Sequence, residues 1–213
     1  MRNGVVEKDK LWDEALTIIN RSDKEVYIFN GERDIGMKET EILGLDKESL
    51  LGAVILNTSG ICIDNWVRMI GQNNSDRRGA VLYNEDSIEG LVIVGQDIVG
   101  GIFAINNSKF EEGIHQIWYF APDTLEWECL DVNYVELFHW LLSGNIDEFY
   151  NNMRWDNWRE DCKLVKFDEV ILIYPFLWST ECDLKTVSKK IVAYEELKKL
   201  NFDLATKISN PMR

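Results

Sequence analysis

Apolar residues recur at helical spacing towards both ends of this chain and at strand spacing in its middle. Over residues 8–20, Leu11, Ala15, Ile18 and Ile19 fall on one face with charges elsewhere, which predicts an amphipathic opening helix. Residues 26–29 form a short β-prone run that ends at the turn dipeptide Asn30-Gly31. A second helix is expected from Asp46, acting as N-cap, through Leu50, Leu51, Ala53 and Val54. Ser59-Gly60 then breaks the chain ahead of residues 61–70.

In the middle the period changes. Residues 90–94, 101–105 and 116–120 are short apolar or alternating runs bounded by Gly, Asn, Asp and Pro. They read as sequential antiparallel strands, with Ala121-Pro122-Asp123-Thr124 as a tight turn into residues 125–130. Asn133 caps a helix whose Val135, Leu137, Phe138, Leu141 and Leu142 repeat at helical spacing, and Gly144 ends it. Residues 147–153 and 156–162 look like short helices, residues 170–174 a buried-type strand stopped by Pro175, and residues 194–200 a closing helix. Strands in a block with helices around them indicate an α+β fold. We read residues 1–213 as one such domain: a core of about residues 8–143 with a central, twisted antiparallel sheet, and a helical and single-strand extension over 144–213.

Charge sharpens this picture. Residues 79–153 hold thirteen acids against one base, Lys109, and so carry -12 of the chain's net -14. Such a field attracts cationic partners and repels nucleic acid and anionic membranes. With 213 residues, 46% hydrophobic, the chain can build a core without disulfide or metal. Cys62, Cys129, Cys162 and Cys182 form no CxxC pair, and only His115 and His139 could assist them. Four reduced thiols, no zinc site and no disulfide are expected. The opening residues contain no apolar stretch typical of a secretory signal, and no apolar run approaches the roughly 20 residues of a membrane span. A soluble, cytoplasmic protein is the expectation.

Candidate chemistry is sparse. Gly95, Gly100 and Gly101 form neither a GxGxxG fingerprint nor a P-loop, and suit a turn between strands. HExxH and GxSxG are absent, and no cysteine lies near a histidine in sequence. Glu126 and Glu128 would share one face of a strand with Asp123 nearby, yet nothing in their surroundings would split their pKa values as acid–base catalysis requires. No catalytic residue, metal ligand or cofactor is expected. The candidates for binding a partner are Asp97, Asp123, Glu126, Glu128 and Asp131. Eight tryptophans supply an alternative, a ligand or carbohydrate pocket formed by Trp66, Arg68, Arg154, Trp155 and Trp158. The same tryptophans also suit plain core packing.

Several segments resemble an uncharacterised bacterial family built on a domain of unknown function. They are Leu51-Gly52-Ala53-Val54, Thr58-Ser59-Gly60-Ile61, Asp64-Asn65-Trp66-Val67-Arg68-Met69-Ile70-Gly71 and Gly100-Gly101-Ile102-Phe103-Ala104-Ile105-Asn106. Further along, Tyr119-Phe120-Ala121-Pro122-Asp123-Thr124-Leu125-Glu126-Trp127, Arg154-Trp155-Asp156-Asn157-Trp158 and Tyr174-Pro175-Phe176-Leu177-Trp178 match as well. More loosely, the order of opening helix, Leu-Gly turn, GG-F-A-I strand, Tyr-Phe strand with acidic turn and F-xx-L-L helix is similar to the SUKH superfamily. Ser59 stands where that pattern has Gly, and the tail beyond Gly144 exceeds the SUKH core. The resemblance implies a non-enzymatic immunity protein that neutralises a toxin. Its partner would be a basic protein such as a toxin domain, in keeping with the acidic field.

Overall fold

The computed structural model describes residues 10–85 and 88–209. Helix α1 (Lys10–Arg21) turns Ala15 and Ile19 into the interior and leaves Leu11 and Ile18 half-buried, as its spacing predicts. Strand β1 (Val26–Asn30) and helix α2 (Arg33–Ile42) follow. The next helix, α3 (Leu50–Asn57), is capped by Ser49, whose hydroxyl accepts from the Gly52 amide at 3.0 Å. Asp46, the expected cap, instead accepts from the Glu48 amide at 2.9 Å, within the preceding turn. The cap lies three residues later because Ser49 directly precedes the apolar run, so its oxygen reaches the first free amides.

Ser59-Gly60 does not break the chain. Strand β2 (Thr58–Ile63) continues straight from α3, and Gly60 sits inside it at φ 140°. There a Cβ would meet the Phe167 ring at 2.3 Å, so glycine serves close packing here and not a turn. Strand β3 (Val67–Ile70), helix α4 (Ala80–Glu85) and strands β4 (Leu91–Asp97), β5 (Ile102–Asn106), β6 (Ile117–Ala121) and β7 (Glu126–Cys129) come next. Seven strands form one antiparallel sheet in chain order, β1 to β7. Helix α5 (Tyr134–Ser143) opens on a capping box in which Asn133 and Glu136 satisfy each other's amides. The short helices α6 (Ile146–Phe149) and α7 (Trp158–Cys162) lead to strands β8 (Glu169–Tyr174) and β9 (Ser188–Ala193) and to helix α8 (Tyr194–Ser209).

The extension therefore holds two strands where one was expected, paired antiparallel from Glu169↔Ala193 to Tyr174↔Ser188. Alternation along the strands divides what covers the large sheet. On the Tyr119 face, Phe149 packs on Tyr119 at 5.2 Å. On the Phe120 face lie Phe202 of α8, 4.9 Å from Phe120, and Phe167, 5.6 Å from Phe29. One hydrophobic cluster spans these layers from Ala15 to Leu197. Among the described residues no helix is long and apolar enough to cross a membrane.

Candidate functional site

Among the described residues strand β7 is the outermost strand of the large sheet and pairs only with β6, placing Tyr119 opposite Glu128 and Phe120 opposite Trp127. Glu126 and Glu128 are exposed, whereas Trp127 and Cys129 turn to the half-buried side, where Trp127 lies 5.5 Å from Phe120. Asp131 is exposed at φ 55°, where the chain leaves the strand. Asp123 is half-buried in the turn before β7, and burial raises its carboxyl above the usual range. Among the described residues, Glu126, Glu128 and Asp131 take part in none of the ion pairs. Three of the five acidic candidates thus lie along one open sheet edge, with Asp123 at its entrance.

Asp97 does not join them. It is fully buried, with Oδ1 accepting from the Val99 and Gly101 amides at 3.0 and 2.9 Å and Oδ2 accepting from the Tyr119 hydroxyl at 2.6 Å. This carboxylate shapes the β4–β5 turn from inside, so it cannot meet a partner. Gly101 is required at that turn because a Cβ would lie 2.0 Å from Asp97 Oδ2. Burial raises the Asp97 carboxyl, and burial with the facing carboxylate raises the Tyr119 hydroxyl well above its ordinary value. Asp147, another acid of the same stretch, pairs with Arg154. The negative face is therefore narrower than the charge count predicts, and Asp86 lies outside the described residues.

The aromatic candidates converge, and two of them, Arg154 and Trp155, line an open cleft of about 570 Å³ together with Leu177, Ser179 and Lys185. Trp66, Trp155 and Trp158 are buried, with ring centroids 6.0 Å (Trp66–Trp155) and 5.1 Å (Trp66–Trp158) apart. The Arg154 guanidinium lies 4.0 Å from the Trp158 ring, 4.7 Å from Trp66 and 5.3 Å from Tyr150, and the Lys189 ammonium lies 5.3 Å from the Trp155 ring. The guanidinium is attracted to the electron-rich ring faces and covers those of Trp66 and Trp158, which a stacked ligand would need. Burial lowers the Arg154 pKa, and the bond to Asp147 opposes that. Arg68 belongs elsewhere. It lies between Cys62 and Gln96 on the neighbouring strands, and its Nη2 donates to the Val165 carbonyl at 3.3 Å. Beside it Gln96 Nε2 donates to the Phe167 carbonyl at 3.0 Å. Together Arg68 and Gln96 tie the segment after α7 onto the sheet.

Sequence reasoning passed over Gln96, Phe167 and Glu39. Glu39 is buried on α2 and accepts from the Asn73 and Val81 amides at 2.7 and 3.3 Å. All three act between segments far apart in the chain, so no local pattern marks them. Among the described residues no group of three metal-ligating side chains is found, and the four cysteines are free thiols. Burial pushes the Cys162 thiol up to about 12, which suppresses thiolate reactivity. His115 and His139 are both exposed, on a loop and on α5.

The family profile described as protein of unknown function DUF2625 matches residues 1–197. The uncharacterised protein YbfG of Escherichia coli strain K12 is 30% identical over 209 residues, covering 96% of each chain. An uncharacterised protein of Haemophilus influenzae is 28% identical over 168 residues, covering 75% of this chain and 74% of its own. No solved structure matches the chain. Its match over residues 1–197 and its full-length similarity to YbfG place the chain in that family, protein of unknown function DUF2625.

Proposed function

We propose that this chain is a non-enzymatic binding protein whose acidic sheet edge meets a cationic protein, in the manner of an immunity protein that neutralises a basic toxin domain. One observation carries the reading: β7 holds Glu126 and Glu128 exposed on one side of an open edge, with Asp131 beyond them and no ion pair to any of the three among the described residues. Unpaired exposed carboxylates leave their field to act on a partner, which raises association rates and rejects anionic competitors. The SUKH resemblance, an immunity superfamily, points the same way. A cytoplasmic setting and a role without catalysis belong to this proposal. The rival pocket reading has less support, because Arg154 covers the rings of Trp66 and Trp158.

The test begins with crosslinking in the native cell and identification of the captured partner by mass spectrometry. Association rates are then measured against that partner over a range of salt. Glu126→Lys with Glu128→Lys should slow association about tenfold or more at low salt, remove much of its salt dependence and leave the circular dichroism unchanged. Equal rates before and after the reversals would reject the reading, as would a partner with net negative charge.

A further inference from the structure

On the opposite, C-terminal layer the hairpin β8–β9 carries features that the acidic edge does not explain. Leu164, just after α7, is 75% exposed, and Ile191 on β9 is 41% exposed. Between them runs a cleft of about 210 Å³ lined by Asp161, Leu164, Ile171, Lys189, Lys190 and Ile191. Neither Lys189 nor Lys190 forms an ion pair among the described residues, although the Lys189 ammonium lies over the Trp155 ring, 5.3 Å from its centroid. Asp161, the one carboxylate of the cleft, is engaged by the Trp155 indole N–H at 2.6 Å. An apolar cleft with a cationic rim, on a chain of net charge -14, runs against the rest of the surface.

The edge beside this cleft is open as well. Among the described residues strand β9 pairs only with β8. The Tyr194 amide bonds to the Asp168 carbonyl at 2.9 Å, which sets the phase of the ladder. In an antiparallel pair bonded and non-bonded residues alternate, so Lys189 and Ile191 direct their backbone groups away from β8. The Ile171 amide confirms that phase by pointing away from β9, to the Ile98 carbonyl at 2.6 Å.

We infer that β9 and the adjoining cleft form a docking site for an extended, acidic segment of another protein. That segment would add a strand along Lys189 and Ile191, seat an apolar side chain between Leu164 and Ile191 on the face that Ile191 shares with Lys189, and set its alternating carboxylates beside Lys190 on the other face. Charge selects this occupant. A second copy pairing β9 with β9 about Lys190 would oppose lysine to lysine, which is the usual way an edge is guarded against self-pairing. An anionic membrane would bring the acidic remainder of the chain against a surface of like charge. This site is independent of the acidic edge on β7.

The probe is an acetylated, amidated hexapeptide alternating glutamate with leucine, beside a matched lysine–leucine peptide and vesicles containing phosphatidylserine. Amide spectra of the whole protein should shift at Leu164, Lys189 and Ile191 with the glutamate peptide alone, and affinity should fall as salt is added. Lys190→Glu should weaken binding about tenfold or more. Ile191→Pro should abolish it, since it removes an outward amide and leaves the ladder to β8 intact. Leu164→Ser, at an exposed position, tests the anchor with no demand on folding. The proposal is overturned if the glutamate peptide causes no shift at millimolar concentration, or if the folded Lys-to-Glu variant binds equally. Equal shifts with the lysine peptide or the vesicles would also overturn it, as would sedimentation showing that the patch is buried in a dimer.

Discussion

Asp97 holds a carboxyl whose charged form is opposed by burial and only partly supported by the Tyr119 hydroxyl and two amides. Its folded pKa lies above that of an exposed aspartate, about 3.9. The native state therefore binds the proton more tightly than the unfolded chain. Stability from this group is fully present below the exposed value and is lost as pH rises through the raised folded value. Asp97→Asn keeps an acceptor for Val99 and Gly101 and offers an N–H to the Tyr119 oxygen. Relative to wild type, its urea midpoint should rise as pH increases from about 4 towards neutrality. A difference independent of pH would refute this account. That Asp97 is internal was not legible in the sequence, where it is one acid among thirteen between Arg78 and Arg154. The three acids around β7 were legible, because strand alternation after a recognisable turn directs Glu126 and Glu128 one way and Trp127 the other.

At the scale of elements, α5 was readable to its ends: Asn133 caps it, Glu136 completes the box, and Gly144 is its C-cap. Asn133→Ala should cost about 1 kcal/mol in urea unfolding and leave the fold intact. A cost near zero would mean that Tyr134, Leu137 and Phe138 pack the helix without help from its cap. The strands β4 to β7 were readable for a similar reason, since turn residues and apolar runs alternate there. Helix α2 and strand β9 were not. Helix α2 (RDIGMKETEI) buries Gly36, Glu39 and Thr40, so its inner face is not apolar. Strand β9 (SKKIVA) buries only Val192 and is a strand because β8 lies alongside it. Pairing across a long loop overrides a weak local preference.

At the scale of the molecule, the C-terminal layer is attached to the sheet by the Phe167 ring packed on Gly60 and by Arg68 and Gln96 donating to the Val165 and Phe167 carbonyls. Phe167→Ala should cost about 3–5 kcal/mol, because a cavity opens where the two layers meet. Its unfolding followed by tryptophan fluorescence and by far-ultraviolet circular dichroism should stay coincident if the layers form one cooperative unit. Two separated transitions would mean that the layers unfold independently. The same scale governs function. By itself the sequence determined the α+β class, the block of antiparallel strands and the acidic character of the stretch that becomes the open edge, because period, turn chemistry and charge are local properties. Only the tertiary structure decided which charges remain outside. It buried Asp97 against Tyr119, set Arg154 against the rings of Trp66 and Trp158, used Arg68 to tie down a loop and left Leu164 and Ile191 uncovered beside Lys189 and Lys190. These are contacts between segments distant in the chain, and they depend on which faces the sheet brings together.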